Sequence, residues 1–86
     1  MSTSSVEVDT TIARLMNFIE ELRQSLEVVS TEISLEERAT RVFERSDLRY
    51  SPLAKSLCTR RDNLTSTIGQ LEEQLRTLKS ETSAAR

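Results

Sequence analysis

The sequence predicts an all-α fold: an antiparallel two-helix coiled-coil hairpin that pairs with a second copy into a dimeric four-helix bundle. Two apolar stripes with alternating steps of three and four residues, separated by one strong break, predict the hairpin. Surplus apolar surface at one end of the first stripe predicts the pairing. The 86 residues form one small domain, and the single glycine and single proline suit long helices.

The first helix is predicted at residues 10–45, after a Ser/Thr-rich tail at 1–9 that we expect to be disordered. Asp9 or Thr10 is a suitable N-cap. Its apolar stripe consists of Ile12, Leu15, Ile19, Leu22, Leu26, Val29 and Ile33. Ser34 with Glu37 also reads as a capping box, so a break near Ser34 that gives three helices is an alternative. Continuity is favoured because the heptad frame persists there without glycine or proline.

A turn is predicted at residues 46–51, and the second helix at 52–80, with Ser51 as its N-cap and Pro52 as its first residue. Residues 81–86 are expected to form a second disordered tail. The seam of this helix consists of Ala54, Leu57, Leu64, Ile68, Leu71, Leu75 and Leu78, with Arg61 as the one charged member. Gly69 lies off this seam and is either tolerated or marks a close backbone approach.

A short loop between two long helices makes them antiparallel neighbours. A turn centred between residues 48 and 49 sets Phe43 opposite Ala54 and Glu36 opposite Arg61. Since an isolated buried charge is far less favourable than a pair, we expect Glu36 and Arg61 to form a register pair between the helices.

The first turns of helix one carry more apolar surface than one partner helix covers, because the second helix is ending where they lie. If this surface stays partly exposed to water, several kcal/mol of hydrophobic stabilisation are lost, at roughly 25 cal/mol per Å². The predicted dimer or partner interface consists of Ile12, Leu15, Met16, Phe18 and Ile19. The alternatives are a kink or the C-terminal tail folding over these residues, or a different helical protein as the partner.

Charge is distributed unevenly along the chain. Residues 38–61 carry seven basic and two acidic side chains, whereas residues 1–37 carry eight acidic and two basic ones. Antiparallel packing of two hairpins would place each basic tip beside the acidic open end of the other. The tip is a candidate site for an acidic protein partner or a phosphate group. It consists of Arg38, Arg41, Arg45, Arg49, Tyr50, Lys55 and Arg60.

The residue types that usually carry catalysis are scarce. There is no histidine, and Cys58 is the only cysteine, so no zinc or disulfide motif is formed. The adjacent glutamate pairs point apart on a helix and form no acid/base dyad. We therefore expect no enzyme activity, no catalytic residue, no metal site and no cofactor.

These observations favour a non-enzymatic interaction or assembly module, such as an adaptor, a small chaperone or a scaffold. The second hypothesis is a small nucleic-acid-binding regulator that uses the basic tip; it is less favoured because the net charge is −2 and aromatic residues are few. The lone thiol and the absence of a visible secretory signal indicate the cytoplasm.

The sequence also bears on membranes. No run approaches the roughly 20 apolar residues that a membrane span needs, so we expect no span. The acidic Glu20, Glu21 and Glu27 on the polar face of helix one argue against a peptide that lies on anionic lipid.

Overall fold

A computed structural model describes the backbone of residues 2–84 and the side chains of residues 7–81. It contains two α-helices, α1 (Ser2–Thr40) and α2 (Pro52–Ala84), which pack against each other as a hairpin. No strand is present within residues 2–84. The predicted all-helical two-helix hairpin is confirmed.

The helix bounds differ from the predicted ones at three places. Helix α1 begins at Ser2 instead of residue 10 and ends at Thr40 instead of residue 45, and α2 continues to Ala84. The described parts of both predicted tails are therefore helical, whereas Met1 and residues 85–86 lie outside the described residues. Helix α1 runs unbroken through Ser34, so the three-helix alternative is not adopted.

Helix α1 ends early because Arg41 turns the backbone into the left-handed region, with φ at 62°. The Arg41 N–H donates to the carbonyl of Glu37 at 2.8 Å, which is the hydrogen bond of a left-handed helix C-cap. The connection therefore covers residues 41–51 instead of 46–51. Two successive turns follow, in which Asp47 N–H donates to the Glu44 carbonyl and Tyr50 N–H donates to the Asp47 carbonyl, both at 3.0 Å.

Helix α2 begins where the sequence predicted. The Ser51 hydroxyl accepts a hydrogen bond from the Ala54 N–H at 3.2 Å, and the Ser51 carbonyl accepts from the Lys55 N–H at 2.9 Å. Ser51 is thus the N-cap, and Pro52 occupies the first helical position, where its missing N–H is not needed.

The best-packed part of the hairpin lies next to the loop. One buried cluster contains Val29, Ile33, Tyr50, Ala54, Leu57 and Cys58, with Val42 and Leu64 packed against it. Tyr50 takes the place that the sequence assigned to Phe43, which is exposed in the loop. A tyrosine suits this position because its ring can be buried while its hydroxyl still finds hydrogen-bond partners.

The predicted register between the helices is not the one observed. Ile33 was expected opposite Leu64 but shares the buried cluster with Ala54 and Leu57, a shift of about one heptad. The loop causes this shift by taking up residues 41–45, which the prediction gave to helix one. Since the apolar residues repeat with the heptad, the shifted register still brings apolar positions together.

The predicted register pair Glu36–Arg61 is accordingly not formed. Glu36 Oε1 accepts a hydrogen bond from the Ser51 hydroxyl at 2.9 Å, and Arg61 Nη2 lies 3.9 Å from Cys58 Sγ. The half-buried Glu36 carboxylate is thus held by the N-cap of α2, three helical turns from the position that was expected to partner it.

Burial decreases towards the open end of the hairpin, where α1 begins and α2 ends. Ile19 and Ile68 are buried there, but most of the seam is only half-buried. The half-buried leucines are Leu15, Leu22, Leu26, Leu64, Leu71, Leu75 and Leu78. Arg23 of α1 and Glu72 of α2 form an ion pair across this part of the hairpin. Two helices alone therefore leave much of the leucine seam accessible to water.

Candidate interaction surfaces

The open end carries a groove between α1 and α2, which we call the open-end groove, with a volume of about 720 Å³. Its apolar floor is formed by Leu15 and Phe18 from α1 and by Leu78 from α2. The remaining lining residues are Thr11, Arg14, Gln70, Glu73, Gln74, Thr77 and Glu81. The groove thus has an apolar centre and a polar rim, as protein interfaces commonly do.

The structure separates the five residues that the sequence grouped as one interface. Leu15 and Phe18 line the open-end groove, and Phe18 is 47% exposed. Met16 is 48% exposed but does not line the groove. Ile19 is buried inside the hairpin, and Ile12 is half-buried without lining the groove. Ile12 and Leu15 are both half-buried, whereas the predicted register left them uncovered.

The rim of the open-end groove carries charges of both signs on opposite sides. Arg14 lies on α1 and forms no ion pair among the described side chains, whereas Glu73 and Glu81 lie on α2. Glu73 also forms an ion pair with Arg76 of the same helix. A surface that is basic along one edge and acidic along the other can complement a second copy of itself.

The predicted basic tip divides into paired and unpaired cations. Arg45 forms an ion pair with Asp62 at 3.3 Å, and Arg49 forms one with Asp47 at 3.0 Å. Hydrogen bonds donated by the Arg49 side chain and backbone lower the pKa of Asp47, and the side-chain bond that Arg49 donates to Asp47 raises the pKa of Arg49. Within residues 7–81, the exposed cations of the tip without an ion pair are Arg38, Arg41, Lys55 and Arg60.

Tyr50 belongs to the core instead of the tip surface. It is only 5% exposed, its hydroxyl donates to Glu37 Oε2 at 2.8 Å, and the same oxygen lies 3.4 Å from Cys58 Sγ. The phenol and the Cys58 thiol thus share a buried hydrogen bond in which either group can be the donor. The tip therefore does not present Tyr50 as a stacking ring for a nucleic acid.

The Tyr50 hydroxyl is held in its protonated form by its surroundings. The hydrogen bond with Cys58, the burial of the ring and the bond to Glu37 all raise the pKa of Tyr50 above its usual range. Nothing in the sequence separates this buried tyrosine from an exposed loop tyrosine except its place one residue before the N-cap Ser51.

Three exposed apolar side chains at the tip were missed by the sequence analysis. Leu48 lies in the loop and is 102% exposed, Phe43 is 61% exposed, and Leu53 in the first turn of α2 is 57% exposed. The sequence placed Phe43 in the core and gave no role to the other two residues. A signal was present, because Leu48 lies among turn-forming polar residues and Leu53 falls between the seam positions of α2.

Within the described side chains, no group of three or more His, Cys, Asp or Glu residues is arranged to hold a metal ion. Neither helix, as far as it is described, contains a stretch that is long and apolar enough to cross a bilayer. No protein-family model, curated protein or solved structure matches this chain. The open-end groove and the tip are therefore the two surfaces from which a function can be inferred.

Proposed function

We propose that this chain is a non-enzymatic interaction module, an adaptor, small chaperone or scaffold, whose hairpin pairs with a second copy through the open-end groove. The observation that carries the proposal is Phe18, which lines this groove beside Leu15 and Leu78 yet remains about half exposed. A large aromatic side chain at the centre of an apolar groove is the kind of residue that anchors protein interfaces.

Burying the groove in an interface would stabilise a dimer. Roughly 100 Å² of Phe18 remains accessible if half of a phenylalanine surface is exposed, and its burial is worth about 2 kcal/mol for each copy. The half-buried leucines nearby, Leu15 and Leu78, add to this term. A second hairpin supplies two further helices, so the four helices together form a bundle with the leucine seam at its centre.

The groove suits a two-fold arrangement in which the same surface of both copies meets. In that arrangement the Arg14 edge of one copy lies along the Glu81 edge of the other, and the rim charges attract each other. Because this pairing of edges requires the two-fold axis to run parallel to the helices, the two tips then point in the same direction. The arrangement expected from the charge distribution alone, with each tip beside the other's open end, would instead place the grooves apart.

The test compares two residues of equal exposure. We expect the wild-type chain to sediment as a dimer, at twice 9.8 kDa, at tens of micromolar concentration. Phe18→Glu should weaken the dimer at least about tenfold, because it places a charge in the groove. Met16→Glu is the matched control, since Met16 is as exposed as Phe18 but lies outside the groove lining.

Circular dichroism checks that both variants remain helical. A wild-type chain that sediments as a monomer at these concentrations would contradict the proposal. So would equal weakening by the two substitutions, because the contact would then not be specific to the groove.

A further inference from the structure

We propose that the tip of the hairpin docks on an anionic lipid surface, with its projecting apolar side chains entering the headgroup region and its arginines contacting lipid phosphates and carboxylates. This inference concerns the end of the molecule opposite the open-end groove. It goes beyond the proposed dimer, which leaves the tip free.

The apolar part of this surface consists of Leu48, Phe43 and Leu53. Leu48 lies within the second turn of the loop, which spans Asp47 to Tyr50, and is as exposed as in an extended chain. Phe43 and Leu53 are more than half exposed, while their neighbours Val42 and Ala54 pack into the buried cluster. Three large apolar side chains therefore lie in or next to one loop, at one end of a molecule 60 Å long.

The charge of the tip complements anionic lipid. Residues 38–55 contain five basic side chains (Arg38, Arg41, Arg45, Arg49 and Lys55) and two acidic ones (Glu44 and Asp47), which gives a net charge of +3. Arg38, Arg41 and Lys55 form no ion pair among the described side chains. Basic residues beside exposed apolar ones are the combination that holds proteins at anionic membrane surfaces.

The three glutamates that argue against lipid binding in the sequence lie far from the tip. Glu27, the nearest of the three glutamates considered above, precedes the end of α1 at Thr40 by about 20 Å along the helix axis. That distance is more than twice the Debye length of roughly 8 Å at physiological salt. A hairpin that stands on its tip therefore keeps Glu20, Glu21 and Glu27 out of the field of the membrane.

A lipid surface fits the tip better than a nucleic acid does. Tyr50, the aromatic residue of the predicted tip, is buried and unavailable for base stacking, and a phosphate backbone makes no favourable contact with the side chain of Leu48. A bilayer interface accepts a projecting leucine without a preformed pocket, and its negative charge attracts the unpaired cations at the same time.

The test is sedimentation of the full-length chain with vesicles of phosphatidylcholine and phosphatidylserine in a two-to-one ratio. We expect binding to these vesicles, much weaker binding to pure phosphatidylcholine, and release at high salt. Leu48→Asp should lower the partition coefficient at least tenfold. Val28→Asp is the matched control, because Val28 is an apolar residue of α1 that is 58% exposed away from the tip, and it should leave binding unchanged.

A fluorescence measurement separates insertion from simple charge attraction. The chain has no tryptophan, so Phe43→Trp introduces a single reporter whose emission should shift to the blue on addition of the anionic vesicles. Val28→Trp should show no such shift.

Three results would overturn the proposal. They are absence of binding to the anionic vesicles, equal binding to both kinds of vesicle, and unchanged binding of Leu48→Asp. The last result, together with comparable binding to duplex DNA, would identify the tip as a general polyanion site. Phe18→Glu, which targets the groove, keeps the tip intact, so failure of the dimer and failure of lipid docking are separate outcomes.

Discussion

Arg41 ends α1 although it is not a glycine, the residue that most often occupies this left-handed position. A side chain with a Cβ atom is disfavoured there by roughly 1–2 kcal/mol. Part of that strain is offset by the hydrogen bond from Arg41 N–H to the Glu37 carbonyl. The sequence carries no signal for this stop, which is why helix one was predicted to continue to residue 45.

We therefore expect Arg41→Gly to raise the free energy of unfolding by about 1 kcal/mol, measured by urea denaturation. Arg38→Gly is the matched control, since Arg38 also lies at the end of α1 but is helical. Glycine at that position should lower the free energy of unfolding by about 1 kcal/mol. Destabilisation by both substitutions would show that the strain at Arg41 is absent in solution.

The hydroxyl of Tyr50 gives the hairpin a pH dependence on the alkaline side. The pKa of Tyr50 is raised in the folded state, so its stabilising contribution is fully present below the unfolded value, about 10, and is lost as the pH rises above it. The unfolded chain then ionises first, and the free energy of unfolding falls by up to about 1.4 kcal/mol per pH unit from this group.

Tyr50→Phe should remove that component, so the variant's free energy of unfolding should fall less steeply above pH 10 than that of the wild type. Urea denaturation at a series of pH values measures both slopes, and the titration of other groups cancels in the comparison. Equal slopes would mean that Tyr50 ionises as readily in the folded chain as in the unfolded one.

At the scale of the elements, the heptad pattern correctly predicted two helices and the faces on which they meet. Ser51 and Pro52 marked the start of α2 because a cap and a first-turn proline are local signals. The register was beyond the pattern, since a shift by one heptad leaves apolar residues opposite apolar residues. The loop sets the register, because Arg41 ends α1 early and Tyr50 is buried against α2.

The sequence predicted the candidate surfaces to different degrees, because periodicity describes helices but not loops. Leu15 and Phe18 were predicted to face a partner because the apolar surface of helix one is wide at this end, and both residues line the open-end groove. Phe43 was not, because the exposure of a loop side chain depends on the path of the loop and not on periodicity, and the only signal at Leu48 is its place among turn-forming polar residues. The cations of the tip were predicted as a group, but only the structure shows which of them are paired.

Gly69 is tolerated in α2 without a packing role. A Cβ atom at this position meets nothing within 4 Å, so no close backbone approach requires the glycine. Gly69→Ala should raise the free energy of unfolding by about 1 kcal/mol in urea denaturation, because alanine favours the helix. Ala13→Gly is the reverse control at an exposed position of α1 and should lower it by a similar amount. A loss of stability in Gly69→Ala would indicate a partner surface at this position.

At the scale of the whole molecule, the hairpin is a rod of 60 × 18 × 13 Å with a radius of gyration of 18.6 Å. A compact domain of this length has a radius of gyration of about 12 Å. The accessible surface of 6598 Å² likewise exceeds the roughly 5,200 Å² expected for a compact monomer of the same mass. An isolated hairpin thus lacks the burial of an ordinary domain, which agrees with a chain that associates through its open end.

Because Cys58 is buried, the single thiol of the chain can report local opening of the hairpin. The residue is 2% exposed and its sulfur lies between Tyr50 and Arg61, so a thiol reagent can reach it only while the loop lifts away from the helices. The rate of alkylation under native conditions therefore reports how often this end of the rod opens, without any added label.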